Sequence, residues 1–155
     1  MRKLPLDEMA TRMGPSIVRK PLSDALGTGD VAVNYYELDT GETLSYGLHA
    51  HAEQEEIFYV VAGTVTFETR DGTTTVGADE LVRFGPGEYQ HGHNDGGERA
   101  RVLAIGAPRD PGETEVLRSC PDCDDRTPHE IELAEDGDHV RSVCTICGAV
   151  TARFD

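Results

Sequence analysis

The sequence predicts an all-β protein, an antiparallel sandwich or barrel followed by a second, smaller β module. From Val31 onward, short runs rich in β-branched and aromatic residues alternate with turn residues at intervals of ~8 to 12 residues. No helical period of apolar residues interrupts these runs. All four cysteines lie after residue 119, beyond a stretch that contains Pro108, Pro111 and Gly112. These observations separate a β-rich body from a cysteine-containing tail.

The predicted elements follow the chain in order. Residues 1–30 suggest one short helical turn and a strand that begins at Ile17 or Val18. Asp71-Gly72 is typical of a β-hairpin turn. We expect a barrel with an N-terminal extension over residues 1–110, a linker over 111–118 and a small module over 119–155. The remaining predicted strands cover residues 31–38, 43–51, 57–62, 64–69, 73–76, 81–84, 101–107, 130–133, 140–144 and 149–154.

Composition limits the classes of partner. The chain has 29 Asp and Glu residues against 14 Lys and Arg residues, a formal net charge of -15, and a surface this acidic repels nucleic acid. Because dense carboxylates repel one another unless salt screens them, we interpret the protein as halophilic, with an acidic interaction surface as the alternative. The sequence shows neither a membrane-spanning run nor a secretory signal, so we expect a cytoplasmic protein without a membrane partner.

A His-x-His pair is the first candidate site. His49 and His51 alternate along one predicted strand, so their rings share a face. Glu56 stands at the start of the next apolar run. Two imidazoles and one carboxylate on neighbouring strands can converge on a metal with open coordination positions. The simpler interpretation is a pair of polar residues at a strand end.

Residues 41–63 resemble the first signature motif of the cupin superfamily. That motif has a glycine, His-x-His, three or four residues, a glutamate, six residues and a glycine. Here His49 and His51 are followed by Glu56 and Gly63, although the first glycine lies two residues too early. The resemblance implies a double-stranded β-helix, the cupin jelly-roll barrel, over about residues 30–107, with these two histidines and Glu56 as metal ligands.

Residues 85–94 resemble the second cupin motif, Pro-x-Gly-x-x-His-x-x-x-Asn, with the proline one place late. Counting from the following glycine and from the asparagine brings Gln90 to the position where the family has a histidine. Either Gln90 faces the metal, or a one-residue shift brings His91 in. His93, which shares the face of His91, or a water molecule is the remaining alternative. Neighbouring residues of a strand face opposite sides, so Gln90 and His91 cannot both be ligands without a bulge.

The resemblance implies a divalent metal in the barrel, which is Fe, Mn, Ni or Zn, and a small-molecule ligand. Imidazoles, one carboxylate and an amide would leave a net site charge of about +1, which favours an anionic ligand. Cupins include oxygenases, decarboxylases, isomerases, lyases and non-catalytic sensors, so the fold does not select a reaction. Seven aromatic residues are interpreted first as packing residues and second as pocket lining: Tyr35, Tyr36, Tyr46, Phe58, Phe67, Phe84 and Tyr89.

The cysteines form two Cys-x-x-Cys pairs, Cys120 with Cys123 and Cys144 with Cys147. This spacing is typical of a four-cysteine zinc site, and a reducing compartment disfavours disulfides. The segment resembles the zinc-ribbon family. Four protein ligands leave a tetrahedral Zn²⁺ no open position, so this zinc is expected to be structural. We expect the nearby His129 and His139 to be solvent-exposed loop residues.

Two functions are compatible with these features. In the first, the protein is an enzyme, a metal-dependent cupin oxygenase, isomerase or lyase that acts on a small anionic molecule, with the ribbon as an oligomerisation or partner module. In the second, a non-catalytic barrel senses a metabolite or a metal and the ribbon contacts a protein partner. We expect a homodimer in solution.

Overall fold

The protein is almost entirely β in a computed structural model that describes all 155 residues. The only helical elements are a 3-10 helix at Leu6–Glu8 and α1 at Ser23–Leu26. The strands, in chain order, are β1 (Val18–Pro21), β2 (Ala32–Leu38), β3 (Leu48–His51), β4 (Glu55–Ala62), β5 (Thr64–Thr69), β6 (Gly72–Gly77), β7 (Leu81–Phe84), β8 (His91–His93), β9 (Ala100–Ala107), β10 (Thr114–Cys120), β11 (Asp125–Leu133), β12 (Val140–Cys144) and β13 (Val150–Phe154). The all-β fold class is confirmed.

Two facing sheets form the barrel. The first sheet has the strand order β1-β2-β9-β4-β7. The second contains β6-β5-β8 and β3, which are joined through backbone hydrogen bonds between His49 and Gln90: N–H of His49 donates to O of Gln90 at 3.0 Å, and the reverse bond is 2.8 Å. This bridge brings the two motif segments side by side. The architecture is the double-stranded β-helix that the sequence predicts.

Apolar side chains fill the space between the two sheets. Strand β9 alternates buried and less buried residues along most of its length, as a strand with one face toward a core does. The rings of Phe58, Phe67 and Phe84 pack together, with centroids 5.0 to 6.1 Å apart. Leu38, Val60, Val65, Val102 and Ala104 surround them, all without solvent exposure. This core supports the strands that carry the candidate site.

One motif glycine has a clear structural reason. Gly63 joins β4 to β5 with φ +74°, in the left-handed region that favours glycine. A Cβ at this position would lie 2.8 Å from Cα of Ala100 and 2.9 Å from O of Arg99. Any side chain here would push β4 away from the start of β9.

The predicted linker over residues 111–118 differs from the structure, since β10 begins at Thr114. One edge of β10 pairs with β3, where Thr114 lies opposite His51, and the other edge pairs with β11, where Cys120 lies opposite Asp125. Pro111 and Gly112 do interrupt regular structure, but the residues after them find backbone partners in two distant segments. The cysteine-containing sheet β10-β11-β12-β13 is therefore continuous with the barrel.

Side chains also connect the C-terminal module to the barrel. The rings of Phe154 and Tyr46 meet edge to face, with centroids 5.0 Å apart. Arg126 and Glu68 form an ion pair at 2.9 Å. The prediction that His129 is an exposed loop residue is wrong, because His129 lies inside β11 and is 5% exposed. His139 lies in the loop between β11 and β12, as predicted, but its side chain is only 14% exposed. Strand β11 begins five residues earlier than its sequence pattern indicates, and this places His129 within the sheet.

Candidate metal centre

A cavity of about 330 Å³ lies between the two sheets of the barrel. Strands β1, β2 and β4 supply one wall, and β3 and β10 supply the opposite one. His49, His51, Glu56 and Gln90 all line it. Residues from both motif segments therefore share one concave site.

Strand β3 turns both histidines toward this cavity. His49 Nδ1 lies 3.1 Å from the carbonyl oxygen of Gly47, so Nδ1–H donates there and Nε2 keeps its lone pair. Burial lowers the pKa of His49, which keeps the ring neutral. His51 Nδ1 lies 2.9 Å from the hydroxyl oxygen of Thr114, and its Nε2 lies 3.5 Å from Oε2 of Glu56. In each ring, Nδ1 is held by a hydrogen bond. The Nε2 atom of His49 then faces Gln90, and the Nε2 atom of His51 faces Glu56.

Gln90 closes the site from the end of the second motif. Its Nε2 donates to Nε2 of His49 at 3.0 Å and to Oε2 of Glu56 at 3.1 Å. Its Oε1 is buried without a hydrogen-bond partner. One ligand atom each from His49, His51 and Glu56 lie within 4.8 Å of one another. The Gln90 amide therefore closes a compact set of metal-ligand atoms. Its own oxygen, Oε1, is the acceptor that has no partner.

His91 and His93 lie outside this cluster, so the alternative register that brings His91 into the site differs from the structure. His91 pairs with Glu68 across β8 and β5, and its Nδ1 lies 4.0 Å from Oε2 of that residue. Burial, with a smaller contribution from the His93 charge, lowers the pKa of His91 to about 4. His93 Nε2 lies 2.9 Å from Oδ2 of Asp95. Since Gln90 faces the cavity, the next residue of the strand must face away from it.

Thr114 and Arg19 were not identified as site residues from sequence, and Tyr36 was considered only as one of seven aromatic residues that could line the pocket. Thr114 orients His51, Arg19 enters from β1, and Tyr36 enters from β2. Burial raises the pKa of Tyr36 to about 12, with the Arg19 charge acting in the opposite direction. Of the seven aromatic residues considered, Tyr36, Tyr46 and Phe58 line this cavity. The β-favouring residues Thr114, Val116 and Leu117 were the one local signal that could have revealed β10.

The four cysteines form a second cluster, with one sulfur from each within 4.8 Å of the others. The sulfurs of Cys120 and Cys147 lie 3.5 Å apart, and those of Cys123 and Cys144 lie 3.9 Å apart. Four sulfurs at ~2.3 Å around a tetrahedral Zn²⁺ would be ~3.8 Å apart. All four cysteines are free, and a hydrogen bond from the Thr127 hydroxyl at 3.2 Å lowers the pKa of Cys144 to about 6. The cluster geometry suits a tetrahedral ion.

Comparison with known proteins identifies the barrel. Residues 34–106 match the family model described as the cupin domain, a span that contains both candidate motifs. The barrel is a cupin domain. Among curated proteins, none matches this chain.

Solved structures share the cupin fold at low sequence identity. A protein with a double-stranded β-helix domain from Klebsiella pneumoniae has a TM-score of 0.63 and 19% identity, over 77% of this chain and 99% of its own. A cupin-superfamily sugar phosphate isomerase from Silicibacter pomeroyi has a TM-score of 0.60 and 23% identity, over 96% and 91%. A candidate sugar phosphate isomerase from Acidithiobacillus ferrooxidans has a TM-score of 0.61 and 20% identity, over 95% and 92%. At this identity the likeness establishes the fold alone.

The donor set of this cupin site is chemically suited to a divalent metal. Two imidazole nitrogens and one carboxylate oxygen suit Fe, Mn, Ni or Zn. Half a turn of the Gln90 amide would direct its orphaned Oε1 toward the same point. His49 and His51 each have a hydrogen bond at Nδ1, the arrangement that usually accompanies ligation through Nε2. None of the helices is long and apolar enough to cross a membrane.

Proposed function

We propose that this cupin holds a divalent metal through His49, His51 and Glu56, with Gln90 as the fourth protein ligand. The observation that carries the proposal is the convergence of the three ligand atoms within 4.8 Å at a cavity wall. The orphaned Oε1 of Gln90 supports the fourth position, because a buried acceptor without a partner costs free energy unless a ligand satisfies it. Iron, manganese, nickel and zinc all suit this donor set.

We further propose a structural zinc ion in the ribbon, bound by Cys120, Cys123, Cys144 and Cys147. The sulfur separations of 3.5 and 3.9 Å support it, since they lie on either side of the tetrahedral value of ~3.8 Å. With four thiolates as ligands, this ion would have no position for a substrate. Its contribution would be to stabilise a module of this small size, which has little core of its own.

The barrel site is proposed to bind a small anionic molecule and to act on it as an oxygenase, an isomerase or a lyase. When bound, a divalent metal would polarise an oxygen of the ligand. The Tyr36 hydroxyl, with its pKa raised to about 12, holds its proton at neutral pH and can donate a hydrogen bond to the ligand. The buried His49 stays neutral, so it adds no positive charge of its own to the site.

A binding protein that senses a metabolite or a metal is the second candidate. The observation that favours it is strand β10, which carries Thr114 beside His51 at one end and Cys120 at the other. A change at the barrel site would reach the ribbon through one continuous strand. Substrate turnover by the metal-loaded protein would favour the enzyme, whereas ligand-dependent protection of β11 and β12 from hydrogen exchange without turnover would favour the sensor.

We also propose a homodimer that works in the cytoplasm at high salt. Val61, Leu81 and Ile105 lie on β4, β7 and β9 of the first sheet and are 37%, 65% and 37% exposed, a set of apolar side chains that a second copy would cover. The net charge of -15 supports the high-salt interpretation.

Metal analysis of matched variants tests the barrel proposal. His49→Ala should abolish barrel metal while the ribbon keeps its zinc, because the two sites share no ligand. His91→Ala removes the same side chain from the opposite face of the sheet and should change neither ion. Gln90→Ala should weaken barrel binding modestly. Equal metal content in the wild-type and His49→Ala proteins would contradict the proposal.

A further inference from the structure

Arg19 is a half-buried cation without an acidic partner. It lies on β1, opposite Tyr36 of β2, and its side chain lines the barrel cavity. Its Nη1 donates a hydrogen bond to the Tyr46 hydroxyl oxygen at 3.1 Å, and its guanidinium also contacts the Tyr36 hydroxyl. None of the ion pairs in the structure includes Arg19. Because this half-buried cation faces a cavity and has no carboxylate partner, it is suited to a negative charge that arrives from outside.

A second arginine at the same cavity provides the contrast. Arg109 also lines it, but its guanidinium pairs with Asp24 and donates to the carbonyl oxygen of Thr28. The charge of Arg109 is therefore already compensated within the protein. A guanidinium has five N–H donors in a planar fork that matches the oxygens of a phosphate. The hydroxyls of Tyr46 and Tyr36, both uncharged, occupy part of this fork, and the remaining N–H donors of Arg19 stay available to a ligand.

Arg19 and the metal-ligand cluster lie in different parts of the cavity. In the sheet order β1-β2-β9-β4, the strand of Arg19 is three steps from the strand of Glu56, roughly 14 Å at ~4.8 Å per step. Both side chains extend into the cavity and shorten that separation. A ligand that touches both must carry one polar group for the metal end and an anionic group at its other end.

We propose that Arg19 binds the phosphate of a small hydroxylated phosphate monoester whose other end lies beside His49, His51 and Glu56. A phosphate monoester brings a charge of about -1.5 to -2 and three acceptor oxygens, which suits the free donors of Arg19. The cavity of about 330 Å³ equals roughly eleven water volumes of ~30 Å³, enough for a phosphate ester of a short polyol. This inference rests on the proposed function, since it assigns the ligand of the same site.

Calorimetric titration of the full-length protein with D-ribose 5-phosphate and D-ribose tests the inference. The wild type should bind the phosphate ester at least tenfold more tightly than the neutral sugar. Arg19→Gln should remove most of that preference with unchanged metal content, because a hydrogen bond to a charged group typically contributes about tenfold to a hundredfold in affinity. Arg19→Lys keeps the charge without the fork and should retain part of the preference.

Arg83→Gln is the matched control, since it removes the same charge from an exposed residue paired with Glu55. It should bind both sugars as the wild type does. The inference is overturned if Arg19→Gln and Arg83→Gln keep the same preference, or if metal-loaded wild type does not distinguish the two sugars. A wild-type protein that holds no metal in the barrel would instead count against the metal site. Failure of the proposed function can therefore be distinguished from failure of this inference.

Discussion

Replacing Thr114 by valine should weaken metal binding in the barrel although Thr114 is itself no ligand. Its hydroxyl lies 2.9 Å from Nδ1 of His51, on the strand that continues into the ribbon. Valine has nearly the same shape and a high β-propensity, so β10 should persist. Losing a hydrogen-bond partner of a metal-binding histidine typically costs 10- to 100-fold in affinity. Because Thr114 is exposed, water can replace the hydroxyl. We therefore expect a loss of metal affinity at the lower end of this range, about tenfold or ~1.4 kcal/mol.

A competition titration of Mn²⁺ or Ni²⁺ against a chromophoric chelator measures this change. Thr66→Val is the control, since the Thr66 hydroxyl on β5 contacts only the Thr75 hydroxyl, at 3.4 Å. It should leave the metal dissociation constant unchanged. A Thr114→Val protein that folds normally and binds metal within about twofold of the Thr66→Val protein would refute the role assigned to this hydroxyl.

Two further predictions concern charge and the ribbon. Lowering ionic strength from ~0.15 M to ~0.01 M lengthens the Debye distance from ~8 to ~30 Å. Repulsion among the carboxylates of this chain of charge -15 then extends further, so its melting temperature should fall. A melting temperature that is flat from molar to millimolar salt would contradict the halophilic interpretation. Removing zinc with a strong chelator should speed hydrogen exchange across β11, β12 and β13 while β2, β4 and β9 stay protected; continued protection of those three ribbon strands would count against a structural zinc.

Local patterns predicted much of the barrel. The bounds of β5 and β7 agree with the sequence pattern, because each run of strand-forming residues ends at clear turn residues. Counting from both ends of the second motif brings Gln90 to the site, and in the structure its amide contacts His49 and Glu56. A fixed number of residues between two turns determines which side chain faces inward, so register can be predicted from spacing.

Other features depend on contacts between distant segments. Strand β10 is stabilised by pairing with β3 and β11, and the residues before it, Pro111 and Gly112, are typical of a linker. Thr114, Arg19 and Tyr36 come from three segments that no local motif connects. His129 is buried because β11 extends further than its apolar run indicates. Such residues become identifiable only when the sheet order is known.

An anomalous-scattering crystal structure of the metal-loaded protein tests the central claim most directly. Data collected at the absorption edges of zinc and of the barrel metal should show two ions per chain. One should lie between the four cysteine sulfurs, and the other should contact Nε2 of His49 and His51, the carboxylate of Glu56 and a rotated Gln90 amide oxygen. The account is contradicted if no ion lies among these barrel residues, or if the barrel ion lies beside His91 and Glu68.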